Sequence, residues 1–228
     1  MNMNKVEDEV ELLLEDGELR KVERLLKQLL VVDPNCLTAH FHLARVYRRT
    51  KEYKQALYHA RRTLKLSPRE SNAFLNLGLI YECMGRDNLA ASYYKRELSR
   101  NPSSPETLWN IGRLYYRKHR WLQASKRLRR CFETGFSFKV DDTVSKLGFC
   151  YYKLHDQRAY LNVYTSFVQM FPNESWAIAN LGCALLQAKD YRGAMLRLSR
   201  AKQLGIKNGV DVELAQAKKM LLKKPDTK

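Results

Sequence analysis

The residues best suited to chemistry in this chain are amides and cations held in register. His42, Asn76 and Asn110 follow one another at 34-residue intervals, and Lys146 and Asn180 continue the series after a two-residue slip. An asparagine carboxamide offers a donor and an acceptor together, the pair needed to hold the backbone amide of an extended peptide whatever its side chains. Positions that share a helix face with this series add Arg45, Arg48, Arg49, Arg113, Arg117 and Lys153, with Phe41, Trp109, Tyr116, Phe149, Tyr152 and Trp176 between them. Cations beside flat apolar rings suit a ligand with carboxylates and apolar anchors, and aromatics and Arg dominate binding hot spots. The acidic residues at those positions in the later part of the chain are Glu82, Glu106 and Asp142. The face is therefore expected to be positive and to take an acidic segment of a partner protein.

Bond-making chemistry finds no support. The chain has no H-E-x-x-H, no G-x-S-x-G and no phosphate-cradling glycine loop. Cys36 and His40 stand one turn apart, but His40 falls on an apolar helix stripe and reads as packing. The five cysteines, Cys36, Cys83, Cys131, Cys150 and Cys183, form no C-x-x-C pair, so they read as buried thiols rather than zinc ligands or disulfides. The expectation is a protein that is not an enzyme and uses neither cofactor nor metal.

The elements that must position these residues are clearest in SNAFLNLGLIYECMGRDNLAASYYKRELSRNP, the stretch ending at Pro102. Phe74, Leu77, Gly78 and Tyr81 fall at helical i, i+3, i+4, i+7 spacing and make one buried stripe. Gly85 can take the left-handed backbone that ends a helix. Leu89, Ala90 and Tyr94 open a second stripe, and Pro102 stops the second helix before the next unit. The same set recurs as Leu43, Ala44, Tyr47, Ala56, Ala60 and Pro68; as Ile111, Gly112, Tyr115, Ala124 and Leu128; as Leu147, Gly148, Tyr151, Tyr164 and Pro172; and as Leu181, Gly182, Ala194, Leu198 and Ala201.

This 34-residue pattern of large apolar residue, Leu-Gly, Tyr, Ala, aromatic, Ala and Pro resembles the tetratricopeptide repeat over nearly the whole chain. The resemblance implies an all-α, right-handed α-solenoid of antiparallel helix pairs, in which the first helix of each repeat lines a concave groove. The expected division is a degenerate acidic repeat at 1–36, repeats at 37–70, 71–104, 105–140 with two extra residues, 141–174 and 175–208, a capping helix at 209–223 and a frayed tail at 224–228. Two irregularities stand out. TGFSFKV replaces a proline junction, with Phe136 and Phe138 expected to pack there, and Tyr160 stands where Ala belongs, so its hairpin must splay or the ring must escape outward. Chaperone-tail clamps of the family would need Lys and Asn, then Asn, then Lys and Arg, where this chain has Phe41, Arg45, Asn76, Glu106 and Asn110; the middle Asn alone matches.

With 228 residues, 45% hydrophobic content and ten glycines, the chain suits a mostly helical protein with a continuous core. The start, MNMNKVEDEVELLLEDGELR, is acidic and reads as no secretory signal, and no run of 18 apolar residues occurs, so a cytoplasmic location is expected. Residues 1–36 carry a net charge of −4 and the remainder +21. Glu7, Asp8, Glu9, Glu11, Glu15, Asp16 and Glu18 could thus dock in a neighbouring copy's basic groove. The same cations would attract nucleic acid, so the alternatives to an adaptor or scaffold are an RNA-binding solenoid and a substrate chaperone of a secretion system.

Overall fold

The structure is a computed structural model that describes residues 3–68, 72–134, 139–206 and 210–223. The junction residues Phe136 and Phe138 and the tail from Lys224 lie outside the described residues. Those described form thirteen α-helices and no strand: α1 (Met3–Glu15), α2 (Leu19–Val32), α3 (Leu37–Arg49), α4 (Tyr53–Leu66), α5 (Ala73–Cys83), α6 (Asp87–Arg100), α7 (Pro105–Arg117), α8 (Trp121–Glu133), α9 (Val140–Lys153), α10 (Gln157–Met170), α11 (Ser175–Gln187), α12 (Tyr191–Gln203) and α13 (Asp211–Lys223). This is the all-α solenoid of helix pairs that the repeat implies. Two compact units divide it, residues 1–111 and 112–228.

Within the first unit successive helices pack on one another, and α3 also meets α5. Its core runs from Val6, Val10 and Leu14 of α1 through Val22 and Leu26 to Leu43, Tyr47, Ala56, Leu77 and Ile80, all buried. In the second unit α8 to α13 pack in sequence, and α13 closes the last pair by burying Leu214 and Ala217.

The turn inside each helix pair needs one left-handed residue. Gly85 supplies it with φ 72°, as its type suggests, and Gly17 does so before α2. Elsewhere Lys51, His119, His155 and Lys189 hold the same conformation with φ between 56° and 66°. The turn is therefore set by the packing of the two helices and not by glycine alone.

That packing rests on close approaches at the second residue of each Leu-Gly. A Cβ on Gly78 would lie 2.4 Å from Cε1 of Tyr94; on Gly112, 2.8 Å from Cδ2 of Leu128; on Gly148, 2.5 Å from the hydroxyl of Tyr164; on Gly182, 2.7 Å from Cδ2 of Leu198. In each case the side chain facing the glycine lies 16 residues later, where large residues fill the space the missing Cβ leaves. At the corresponding positions of the α3–α4 pair, both residues are small and buried, Ala44 and Ala60. The Tyr94 ring has little freedom to yield, because its hydroxyl donates to Oε2 of Glu82 at 2.7 Å. Tyr160 is buried against Tyr164 with ring centroids 5.3 Å apart, and α9 packs less extensively on α10 than α11 does on α12. The pair splays, as the tyrosine in place of alanine demands.

Five free cysteines follow the sequence reading with one correction. Cys36, Cys131 and Cys150 are buried and Cys183 partly so, but Cys83, at the exposed end of α5, is open to solvent. Burial pushes the Cys150 thiol up to about 12, which keeps it protonated and unreactive. His40 is buried as expected, and its satisfaction comes from a second histidine: Nδ1 of His40 lies 2.8 Å from Nδ1 of His59, while Nε2 lies 3.1 Å from the Pro34 carbonyl. One arrangement satisfies all three atoms. His40 donates from Nε2 to the carbonyl and accepts at Nδ1 from His59, with both rings neutral.

Two outcomes follow from these contacts. Gly78→Ala should cost about 1–3 kcal/mol, the usual scale of overpacking, read as a lower urea midpoint; an unchanged midpoint would show that the helix pair tolerates separation. Burial, and then the charges of His40 and Lys27, lower the His59 pKa from 6.5 to about 4. A folded-state value below the unfolded one contributes stability that is present above pH 6.5 and lost as pH falls toward 4, by up to about 1.4 kcal/mol per pH unit. Urea melts of the wild type between pH 7.5 and 5 should therefore weaken more steeply than those of His59→Gln; equal slopes would contradict the neutral pair.

Candidate functional site

The residues that the sequence places on one face come from the first helix of each pair: α3, α5, α7, α9 and α11. An amphipathic helix that packs two stripes against its neighbours leaves a third strip of positions for solvent. In the first unit that strip is not simply positive. Arg45 forms a two-pronged ion pair with Glu11 of α1, in which the Nη2–Oε2 arm measures 3.2 Å. Burial alone would raise the Glu11 carboxyl, but the hydrogen bond and charge of Arg45 outweigh it and hold the pKa below the usual carboxylate range. Arg49 donates to the Leu14 carbonyl at 2.7 Å, and Thr38 donates to Glu7 at 2.8 Å.

Two of the acidic residues expected to reach another copy, Glu7 and Glu11, are thus engaged within their own chain. Asp8, Glu9, Glu15, Asp16 and Glu18 are exposed. A cavity of about 510 Å³ opens between α1, α3 and the start of α5, lined by Glu7, Asp8, Glu11, Thr38, Phe41, His42 and Asn72 among others. The expected basic character fails here because Glu11 and Arg45 sit 34 residues apart, at the same place in consecutive helix pairs, so they meet. His42 is buried beside them, its Nδ1 3.2 Å from Nη1 of Arg45, and burial followed by the Arg45 charge lowers its pKa.

The amide series divides in two. Asn110 donates to the Glu106 carbonyl and Asn180 to the Trp176 carbonyl, each at 2.8 Å. These bonds tie one N–H of each amide back to its helix; Asn110 is itself buried, at 3% exposed, whereas Asn180 is partly exposed. Asn76, only 7% exposed, has no side-chain hydrogen bond among the described residues. Its amide atoms are not among the buried side-chain atoms that lack a partner, so solvent or a ligand can complete them. Trp109 is half-buried on the same face.

In the second unit the same strip is aromatic and cationic. Tyr116 lies 5.6 Å from Phe149, and Phe149 lies 6.3 Å from Tyr152. Trp121 adds edge contacts at 5.4 Å to Tyr116 and 5.6 Å to Phe149. Lys146 is paired with Asp142 and rests 5.6 Å from the centre of the Tyr116 ring. Lys153 lies 5.3 Å from the Phe149 ring centre and 5.9 Å from that of Tyr152. Arg113 is partly buried and Arg117 exposed. Trp176, expected in the open groove, instead packs on Phe167 at 5.2 Å and on Tyr164 at 6.4 Å, so it mainly joins α10 to α11. Trp121 escaped the sequence reading because it opens α8, the second helix of its pair, outside the face being counted. Tyr160 was visible only as a misfit. Burial pushes its phenol up to about 12, so it remains a neutral donor.

No group of three or more His, Cys, Asp or Glu side chains among the described residues could hold a metal ion. No described helix is long and apolar enough to cross a membrane.

Comparison with known proteins agrees with this architecture. Two tetratricopeptide-repeat models match, one over residues 8–71 and one over residues 73–106. The anaphase-promoting complex subunit CDC16 of Saccharomyces cerevisiae is 25% identical over 179 residues, covering 76% of this chain and 21% of that protein. The photosystem I assembly protein Ycf3 of Prochlorococcus marinus (strain MIT 9313) is 30% identical over 132 residues, covering 57% of this chain and 64% of that protein. The chain therefore spans about a fifth of one relative's length and just under two thirds of the other's. The crystal structure of the C-terminal part of a tetratricopeptide-repeat protein from Cytophaga hutchinsonii superimposes with a TM-score of 0.70 at 16% identity, covering 92% of this chain and 84% of that one; at that identity it speaks to the fold alone. Matching repeat models over residues 8–71 and 73–106, together with thirteen described helices in successive pairs and small residues at the close crossings, lead to one conclusion: the chain is built of tetratricopeptide repeats, the unit of scaffolds that bind protein partners.

Proposed function

We propose that this chain is a non-catalytic adaptor, built of six repeats and the capping helix α13, that binds an extended acidic segment of a partner protein along its first helices. The observation that carries this reading is the recurrence of a carboxamide at one position of the first helices, Asn76, Asn110 and Asn180, where Asn76 makes no side-chain hydrogen bond among the described residues. Within either unit, an extended backbone laid beside such an amide could give it and accept from it a hydrogen bond. Arg113, Arg117, Lys146 and Lys153 supply the positive potential that steers an acidic chain, which affects encounter more than final affinity. CDC16 is named for a complex of which it is a subunit and Ycf3 for the assembly of another; a scaffold that joins protein components is the same kind of role.

Self-association through the acidic first repeat is narrowed by the pairing of Glu7 and Glu11 within the chain. Glu18 is likewise paired with Lys21 at 3.3 Å; the exposed Asp8, Glu9, Glu15 and Asp16 remain to dock on another copy's basic face, and light scattering at low salt should then show mass rising with concentration. The main reading is tested by affinity capture from the native cell, with wild type and an Asn76→Ala, Asn110→Ala, Asn180→Ala triple variant, each with and without nuclease. The expected result is a protein partner that resists nuclease and is lost by the variant while its urea midpoint holds. Recovery of RNA that ignores the asparagines and disappears with nuclease would overturn the adaptor reading.

A further inference from the structure

The strip of rings in the second unit has features that a groove for peptide backbone does not require. Phe149 is 38% exposed and Tyr152 is 48% exposed. Between them stands Lys153, exposed and with no ion pair or hydrogen bond among the described residues. Its neighbour Lys146 is neutralised by Asp142, so the two cations are not equivalent. Trp121, Tyr116, Phe149, Tyr152 and Tyr160 continue from ring to ring at 5.4 to 6.3 Å. All lie near the α7–α8 and α9–α10 turns, so the strip follows the turn-side edge of the helix pairs.

At one end of this edge the misfit at Tyr160 has a consequence. The splayed α9–α10 pair leaves a cleft of about 290 Å³ bounded by Tyr151, Tyr152, His155, Gln157, Tyr160 and Gln187. Its walls combine tyrosine rings with the side chains of His155, Gln157 and Gln187, with room for an apolar side chain, and Tyr152 is shared between the cleft and the Lys153 site. An apolar residue entering the cleft would therefore place its neighbour within reach of an uncompensated ammonium.

We infer that this edge is an anchor site for a partner segment in which a bulky apolar residue stands beside an aspartate or glutamate. The inference rests on the adaptor reading and assigns the anchoring chemistry within it. Charge complementarity selects the occupant: among the described residues of this edge Lys153 carries no ion pair, and a carboxylate is the group that repays its desolvation when rings close around it. The geometry disfavours nucleobases. Stacking needs open, parallel ring faces, whereas here adjoining rings are inclined at 40° to 74° and Lys153 already lies toward the faces of Phe149 and Tyr152.

The test is fluorescence anisotropy on the full chain with a labelled short peptide, blocked at both ends, in which Leu and Phe each stand beside Glu. Control probes replace Glu by Gln, or Leu and Phe by Ser, and a labelled oligouridylate is the nucleic-acid arm. The first peptide should bind and both control peptides should bind about tenfold more weakly, the scale of one hot-spot contact. Lys153→Gln and Phe149→Ser should each weaken the first peptide by a similar factor, while Lys54→Gln, an exposed lysine on α4, should leave it unchanged. Equal losses from Lys54→Gln and Lys153→Gln would reduce the effect to general charge and overturn the assignment. So would tighter binding of oligouridylate that Lys153→Gln and Phe149→Ser both impair. If the peptide binds, ignores Lys153→Gln and Phe149→Ser, and is lost in the triple asparagine variant, the anchor site fails while the adaptor reading stands.

Discussion

The contact on which the structure depends is a glycine facing a large side chain 16 residues later. Gly78 under Tyr94, Gly112 under Leu128, Gly148 under Tyr164 and Gly182 under Leu198 let two helices approach until the larger residue fills the missing Cβ. Interiors packed to crystal-like density do not forgive a changed partner in such a contact. Each crossing fixes the rotation of its first helix, and that rotation decides which residues reach solvent. The amides, rings and cations of the candidate site are thus placed by contacts on the opposite side of the same helices.

Rotation alone does not decide the charge of a face. Repeats bring equivalent positions of consecutive first helices side by side, so each side chain is read against the residue one period away. Glu11 meets Arg45 in this way, and a face that looks basic by composition becomes mixed at the first pair. In the second unit Lys146 meets Asp142 within its own helix, whereas Lys153 lies among rings. Net charge therefore overstates the free cations, and the useful quantity is the number left unpaired at a surface with apolar area beside them.

The repeat, its helices and the residues at each crossing were legible because Leu77, Gly78, Tyr81 and their copies combine a period with a physical need for small residues. The left-handed turn at Gly85 was legible for the same reason. The turns at Lys51, His119, His155 and Lys189 were not, since tertiary packing imposes there a backbone that residue type does not announce. The His40–His59 pair was hidden because it joins neighbouring helices through side chains with no shared motif. Trp121 lay outside the face being counted, and Trp176 lay on it but turned toward α10. Tyr160 was legible as a violation of the pattern, and the splay it forces produces the cleft beside Tyr152.

The central claim is that partners are held by the first helices of the pairs. Hydrogen–deuterium exchange on the free chain and on the chain with its native partner bound tests it most directly. The account predicts slower exchange along α5, α7, α9 and α11 and in the first turn of α10, with the amides of α8, α12 and the rest of α10 unchanged. Protection confined to those second helices, or produced equally by nucleic acid alone, would contradict it.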